Sequence, residues 1–310
     1  MPGSTRASSI ADAPRLPALE DTARIQPAPS VGYARLIWRQ FIAHRPAVIG
    51  AIILTTFVLL AVFVPLLSPY SPSEPDLFNQ LAPPSLQHPL GTDPLGRDVL
   101  TRLLYGARIS LTVGVLSSLI AAAIGVIVGA VAGYYGGWVD NALMRLVDLL
   151  LAFPAIFLLL ILFATIQRSL TIVILFLGLF GWLYLARVVR GEILSLRERD
   201  FIFAARALGA SNRQLITRHL VPNVMGAIIV TFTLDVALNM LAEGTLSFLG
   251  FGVPDSTPTW GNMLNGAASY YTRAPLLTIA PGLAITLAVL AVNFIGDGLR
   301  DALDPHVRRV

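Results

Sequence analysis

Apolar residues along this chain of 310 residues gather in long runs and do not alternate with polar ones. About 20 apolar residues in a helix cross the ~30 Å hydrocarbon layer of a bilayer. Pro46 to Leu67 is uncharged throughout, and so is Ile109 to Val139. Leu149 to Gln167 and Ser169 to Ala186 follow, separated by little more than Arg168, a connection short enough to predict an antiparallel hairpin. Leu220 to Gly250 is interrupted only by Asp235 and Glu243, and Ala274 to Gly296 closes the series. The pattern predicts an all-α membrane protein with six transmembrane helices.

Composition agrees. Hydrophobic residues make up 55% of the chain and charged ones 13%, against about 25% charged in a soluble domain. That balance excludes an ordinary cytosolic enzyme, a disordered chain and a basic, water-soluble nucleic-acid binder. The absence of cysteine removes disulfides, thiolate metal sites and a thiol nucleophile. The absence of lysine makes all 22 basic residues arginine. A P-loop lysine and a Schiff base are therefore both missing. If ATP drives this protein, another chain hydrolyses it. All the arginines except Arg97, Arg102, Arg108, Arg168 and Arg273 fall on one side of the predicted spans. Short loops rich in arginine stay cytoplasmic, so both termini are expected there.

The remaining segments follow from these spans. Residues 1–30, rich in Ser, Ala and Pro without an apolar core, read as a disordered cytoplasmic tail and not a signal peptide. In residues 31–45, Leu36, Ile37, Trp38 and Phe41 alternate with Arg35, Arg39 and Arg45, as in an amphipathic helix lying on the interface. The first span occupies 46–67, an extracytoplasmic segment 68–108, and a five-helix core 109–298 with a cytoplasmic loop at 187–221; a cytoplasmic tail, 299–310, ends the chain. Gly125, Gly129 and Gly133 recur every four residues, a spacing for close helix packing inside the protein or against a partner subunit. Pro154 and Pro281 are expected to kink the third and sixth spans, and Gly133 to Gly137 to turn the chain after the second. Gly91 to Pro94 reads as a turn, with Thr92 or Asp93 capping the next helix and Asp98 positioned to pair with Arg102 one turn on. Asp297, Arg300, Asp301 and Asp304 are at pairing distance on the last helix.

The loop after the fourth span carries the most specific pattern. Ala204 to Leu208 predicts a short helix with Gly209 at its C-terminal end, and Ser211 or Asn212 can cap a second one running toward Pro222. The spacing Ala204-Ala205-x-x-x-Gly209, with His219-x-x-Pro222-Asn223 after it, resembles the cytoplasmic "EAA" loop of bacterial ABC importer permeases. The family's glutamate falls at Phe203. Three further stretches are similar to signatures of the peptide and nickel permeases: His88 to Leu111 (HPLGTDPLGRDVLTRLLYGARISL), Leu246 to Pro254 with Pro258 to Met263, and Asn293 to Pro305. The resemblance covers roughly residues 30 to 306 and identifies the chain with the C-type permease subunits of dipeptide/oligopeptide importers. It implies a type I ABC importer transmembrane domain forming half of a translocation pathway in a bacterial inner membrane. Implied partners are a homologous permease, two ABC ATPase subunits, an extracytoplasmic substrate-binding protein and membrane lipid, with no nucleic acid. ATP and Mg belong to the ATPases, and this chain binds no cofactor. Coupling to the ATPases would fall on Phe203, Ala204, Ala205, Leu208, Gly209, Ala210, Ser211 and Arg213.

Asp235, Asn239 and Glu243, each four residues apart, share a helix face, since four residues advance a helix by only about 40° beyond a full turn. Ionisable groups in a membrane usually face a bundle interior or a wet cavity. They read either as a polar wall of the pathway or as internal supports, with Glu243 fixing the outer loop and Asp235 pairing to a neighbouring helix. The histidines at 44, 88, 219 and 306 are scattered, and neither a metal cluster nor a catalytic set is expected. A nickel or metal-chelate importer is the nearest alternative. An ion-coupled secondary transporter using Asp235 and Glu243 is a more distant one, because no internal repeat is evident.

Overall fold

The computed structural model describes residues 33–154, 157–159, 161, 165 and 167–303. Every regular element among them is a helix, apart from an isolated bridge between Thr92 and Asp98. Among the described residues five helices are long and apolar enough to cross a membrane: α2 (Arg45–Leu67), α3 (Val99–Tyr135), α5 (Leu170–Leu196), α7 (Asn212–Phe248) and α9 (Leu276–Leu303). Shorter helices are α1 (Tyr33–Ala43), α4 (Gly137–Leu151), α6 (Asp200–Ala207) and α8 (Trp260–Leu264). The expected third span, Leu149–Gln167, lies partly outside the described residues, as do the N-terminal tail, Asp304 and His306. What is described there is the end of α4, which stops at Leu151 ahead of Pro154, together with helical residues at 157–159, 161 and 165; the steric restriction on the residue preceding a proline favours that stop.

Helix starts are set by capping side chains. His44 Nδ1 accepts the Ala47 N–H at 3.2 Å, and Pro46 occupies the first turn of α2. Asp98 caps α3, accepting the Thr101 N–H at 2.7 Å and its hydroxyl at 2.6 Å. Neither Thr92 nor Asp93 is the cap, and Asp98 does not pair with Arg102; His88 takes its other oxygen at 3.0 Å. With that cap, α3 begins ten residues before Ile109 and rises beyond the apolar run. α5 likewise continues ten residues past Ala186, because acids on α4 meet its arginines: Asp148 takes Arg187 at 2.6 Å, and Asp140 takes Arg190 through both oxygens.

The most extensive interface joins α3 to α5, which run in the same direction. It explains the glycine stripe: a Cβ on Gly129 would lie 2.5 Å from the Ala186 carbonyl oxygen, and one on Gly133 2.9 Å from that of Arg190. The close approach is therefore made within this chain. α7 packs on α3 and on α9, while α1 folds against the end of α9, where His44 Nε2 is 3.5 Å from Asp301. α7 is irregular at its start. Leu215–Leu220 is π-helical and Val221–Val224 is 3-10 before regular α-helix resumes at Met225. Pro222, which has no N–H for the ladder, falls in that stretch.

Candidate functional site

One end of the bundle carries the loop between α5 and α7. The expected helix spans Asp200–Ala207, starting four residues earlier than the pattern suggested, with Gly209 beyond it at φ +87°. In that left-handed region an L side chain is strained, so glycine is the natural terminator. Ser211 and Gln214 form a reciprocal capping box at the start of α7, which satisfies backbone N–H groups that a helix start leaves free. Tyr134 at the end of α3 donates to Asn212 at 2.7 Å. Beneath this turn Ile202 and Leu215 are fully buried with Val189, Ile193, Leu220 and Ile228, so apolar burial anchors the loop to three long helices. Its other face is bare. Phe203 is 54% exposed and Leu208 89%, while Ala204, Ser211 and Arg213 are exposed and Ala205 and Ala210 half-buried. A Cβ on Gly209 would meet nothing within 4 Å. An apolar knob standing clear of the surface beside small residues can enter a groove on another protein.

The second site is a polar seam inside the bundle. Asp235, Asn239 and Glu243 are all buried on α7. Asn239 Nδ2 donates to Ser118 on α3 at 2.9 Å. Glu243, 1% exposed, accepts from Ser110 at 3.3 Å and from Ser247 at 2.7 Å. Those two hydroxyls in turn accept the N–H groups of Trp260 and Val253, both at 3.3 Å. A single carboxylate thus ties α3, α7 and the start of α8 together. Asp235 differs: its Oδ2 is buried without a hydrogen-bond partner among the described residues, as is Ser117 Oγ on α3. An unpaired buried oxygen is costly, which marks this position as the one in the seam whose polarity the packing leaves unused.

Sequence reasoning missed a third constellation at the opposite end. Asp93 Oδ1 accepts the N–H groups of Leu95 and Arg97, and its Oδ2 accepts the Arg97 Nε–H at 2.7 Å. Arg97 and Arg102 both reach Asp255, at 2.8 and 3.0 Å, across more than 150 residues of sequence. No local spacing could have found that pairing; a surplus of arginine near the start of α3 was the only signal. Nearby, Asp76 caps the turn Leu77–Asn79, and the Asn79 side chain together with the Phe78 N–H holds its carboxyl below the usual carboxylate range.

Long apolar helices with polar groups confined to their interior and ends define a multi-pass membrane protein. Residues 125–309 match the family of the binding-protein-dependent transport system inner membrane component, and residues 32–84 the N-terminal TM domain of oligopeptide transport permease C. The chain is 41% identical to the dipeptide transport system permease protein DppC of Alkalihalophilus pseudofirmus, over 88% of this chain and 90% of that protein. It is 38% identical to the oligopeptide transport system permease protein OppC of Bacillus subtilis (87% and 88%), and 42% to the glutathione transport system permease protein GsiD of Escherichia coli (87% and 90%). The chain belongs to the C-type permease subunits of the dipeptide/oligopeptide ABC importer family.

Proposed function

We propose that this chain forms half of the pathway of an ATP-driven peptide importer in a bacterial inner membrane, with both termini cytoplasmic. Its relatives' names, which speak of dipeptide, oligopeptide and glutathione transport, support a short peptide as the cargo. The arginine distribution supports the orientation, since the 197–223 loop lies at the arginine-rich end. Partners are a second, homologous permease, two ATPase subunits carrying ATP and Mg, and a binding protein delivering peptide at the outer face. This chain contributes no catalytic group and binds no cofactor.

The observation that carries the coupling role is the exposed apolar face of α6. Phe203, Leu208 and Gly209 form the surface that an ATPase groove takes, with Ala204, Ala205, Ala210, Ser211 and Arg213 around it. Movement of that surface passes through the buried Ile202 and Leu215 into α5 and α7. Of the three polar residues on α7, Asp235 faces the pathway, and its unpartnered oxygen supports that role. Asn239 and Glu243 hold the wall in place.

Leu208→Glu tests the coupling directly. The side chain has almost no contact to lose, so the protein should reach the membrane at wild-type level while ATP-driven uptake falls at least tenfold. Gly209→Trp should behave alike. Normal uptake in both variants would remove α6 as the ATPase contact.

A further inference from the structure

The end of the bundle opposite α6 contains a cavity of about 370 Å³ lined by Arg97, Arg102, Arg168, Asp255, Asn265 and Leu277, among others. Its charges do not balance. Three guanidiniums, from Arg97, Arg102 and Arg168, face two carboxylates, Asp93 and Asp255. Arg97 and Arg102 take both acids between them. Arg168 has neither: it donates to the Gly250 carbonyl oxygen and lies over the Phe251 ring at 5.6 Å, and no ion pair reaches it among the described residues.

The two acids are also held differently. Asp93 is buried and fixed by two backbone N–H groups as well as by Arg97. Asp255 has a side chain 56% exposed, on the loop between α7 and α8, and its side-chain partners among the described residues are the two guanidiniums. Arg102, by contrast, is 2% exposed. A buried guanidinium whose counter-ion sits on an exposed loop can take another carboxylate in exchange, recovering charge-assisted hydrogen bonds of the same kind. Leu277, Val253 and Met263 add apolar wall, room for a side chain beside the charge.

We propose that this cavity receives the C-terminal residue of a peptide, its free carboxylate bound by Arg168 and by the Arg97–Arg102 pair. The proposal rests on the peptide-importer reading above and adds a docking point within this chain. The volume favours a whole terminal residue over the tip of one acidic side chain from a docked protein.

Phenylglyoxal modification of Arg168 tests it without any substitution. The assembled importer in nanodiscs, without its binding protein, would be treated in the presence of trialanine or trialanine amide, and Arg168 labelling read by mass spectrometry. With trialanine at about ten times its Kd the labelling should slow roughly tenfold, since protection follows occupancy, and the amide should give no such protection. Equal protection by both peptides, or by neither, would overturn the carboxylate site. Protection by the peptide-free binding protein but not by trialanine would overturn the peptide as its source. Uptake of trialanine by the complete importer is measured in parallel. Uptake without Arg168 protection ends this inference alone, and no peptide uptake at all ends the importer reading.

Discussion

The interfaces that α3 makes with α5 and with α7 are built by different means. Toward α5, Gly125, Gly129 and Gly133 remove side chains so that the backbones meet directly; from the other helix Gly178 does the same, where a Cβ would lie 2.7 Å from Ile120 Cβ. Toward α7, α3 presents Ser110, Gly114 and Ser118, and α7 answers with Glu243, Met240 and Asn239. The first contact is held by dispersion between closely packed atoms. The second depends on donors and acceptors that have no water to turn to in a bilayer. In lipid there is little hydrophobic gain in pressing two apolar helices together, so close packing and hydrogen bonding must supply the specificity. The first fails when a side chain is added; the second, which also has Gly114 against Met240, fails in addition when a polar side chain is taken away.

Substitutions on the two faces should separate accordingly. The largest effect is expected for Gly129→Leu. A new side chain would enter the Ala186 carbonyl, and overpacking of this kind costs about 3 kcal/mol or more where backbone cannot move. The protein should fail to accumulate, measured as folded material extracted from membranes. Gly191→Leu, at a glycine with nothing within 4 Å of its Cβ position, should be tolerated. Equal loss in both would show that glycine matters here for some reason other than close approach.

Glu243→Ala comes next, at about 2–3 kcal/mol, because two buried hydroxyls lose their acceptor and a void is left. A lowered Tm in detergent is expected, and Glu243→Gln, which retains an acceptor, should recover part of it. An unchanged Tm in the alanine variant would detach Glu243 from the support of α8. Asn239→Ala removes a single interhelical hydrogen bond and should cost about 1 kcal/mol, seen as a smaller drop in Tm. Asp235→Asn should change stability least, within about 0.5 kcal/mol, since no partner is lost. Its effect is expected in transport, and unchanged uptake across a set of peptides would remove Asp235 from the pathway.

Much of this was legible along the chain. Uncharged runs located the five described spans, and misplaced an end by about two helical turns or more where a helix outlives its apolar stretch. α3 starts at the Asp98 cap and α5 persists to Leu196 because Asp140 and Asp148 neutralise its arginines. The loop helix, its Gly209 terminus and the Ser211 cap were also readable, since caps and terminators act within a few residues. The shared face of Asp235, Asn239 and Glu243 followed from helix periodicity alone.

What local pattern could not decide was which helix each face would meet. The glycine stripe was equally suited to a partner subunit, and only the packing assigned it to α5. Ser110 and Ser118 carry no distinguishing pattern along the chain, and it is α7 that brings Glu243 and Asn239 to them. Arg102 had an acid four residues before it, yet its charge is met by Asp255 and, at a longer distance, by Asp93. Asp98 is already committed to the helix cap and to His88, and the folded chain brings the α7–α8 loop within reach. Periodicity, caps and hydropathy are properties of neighbours in the chain and can be read there. Pairing between distant charges depends on where whole helices come to rest, and the tertiary structure alone fixes that.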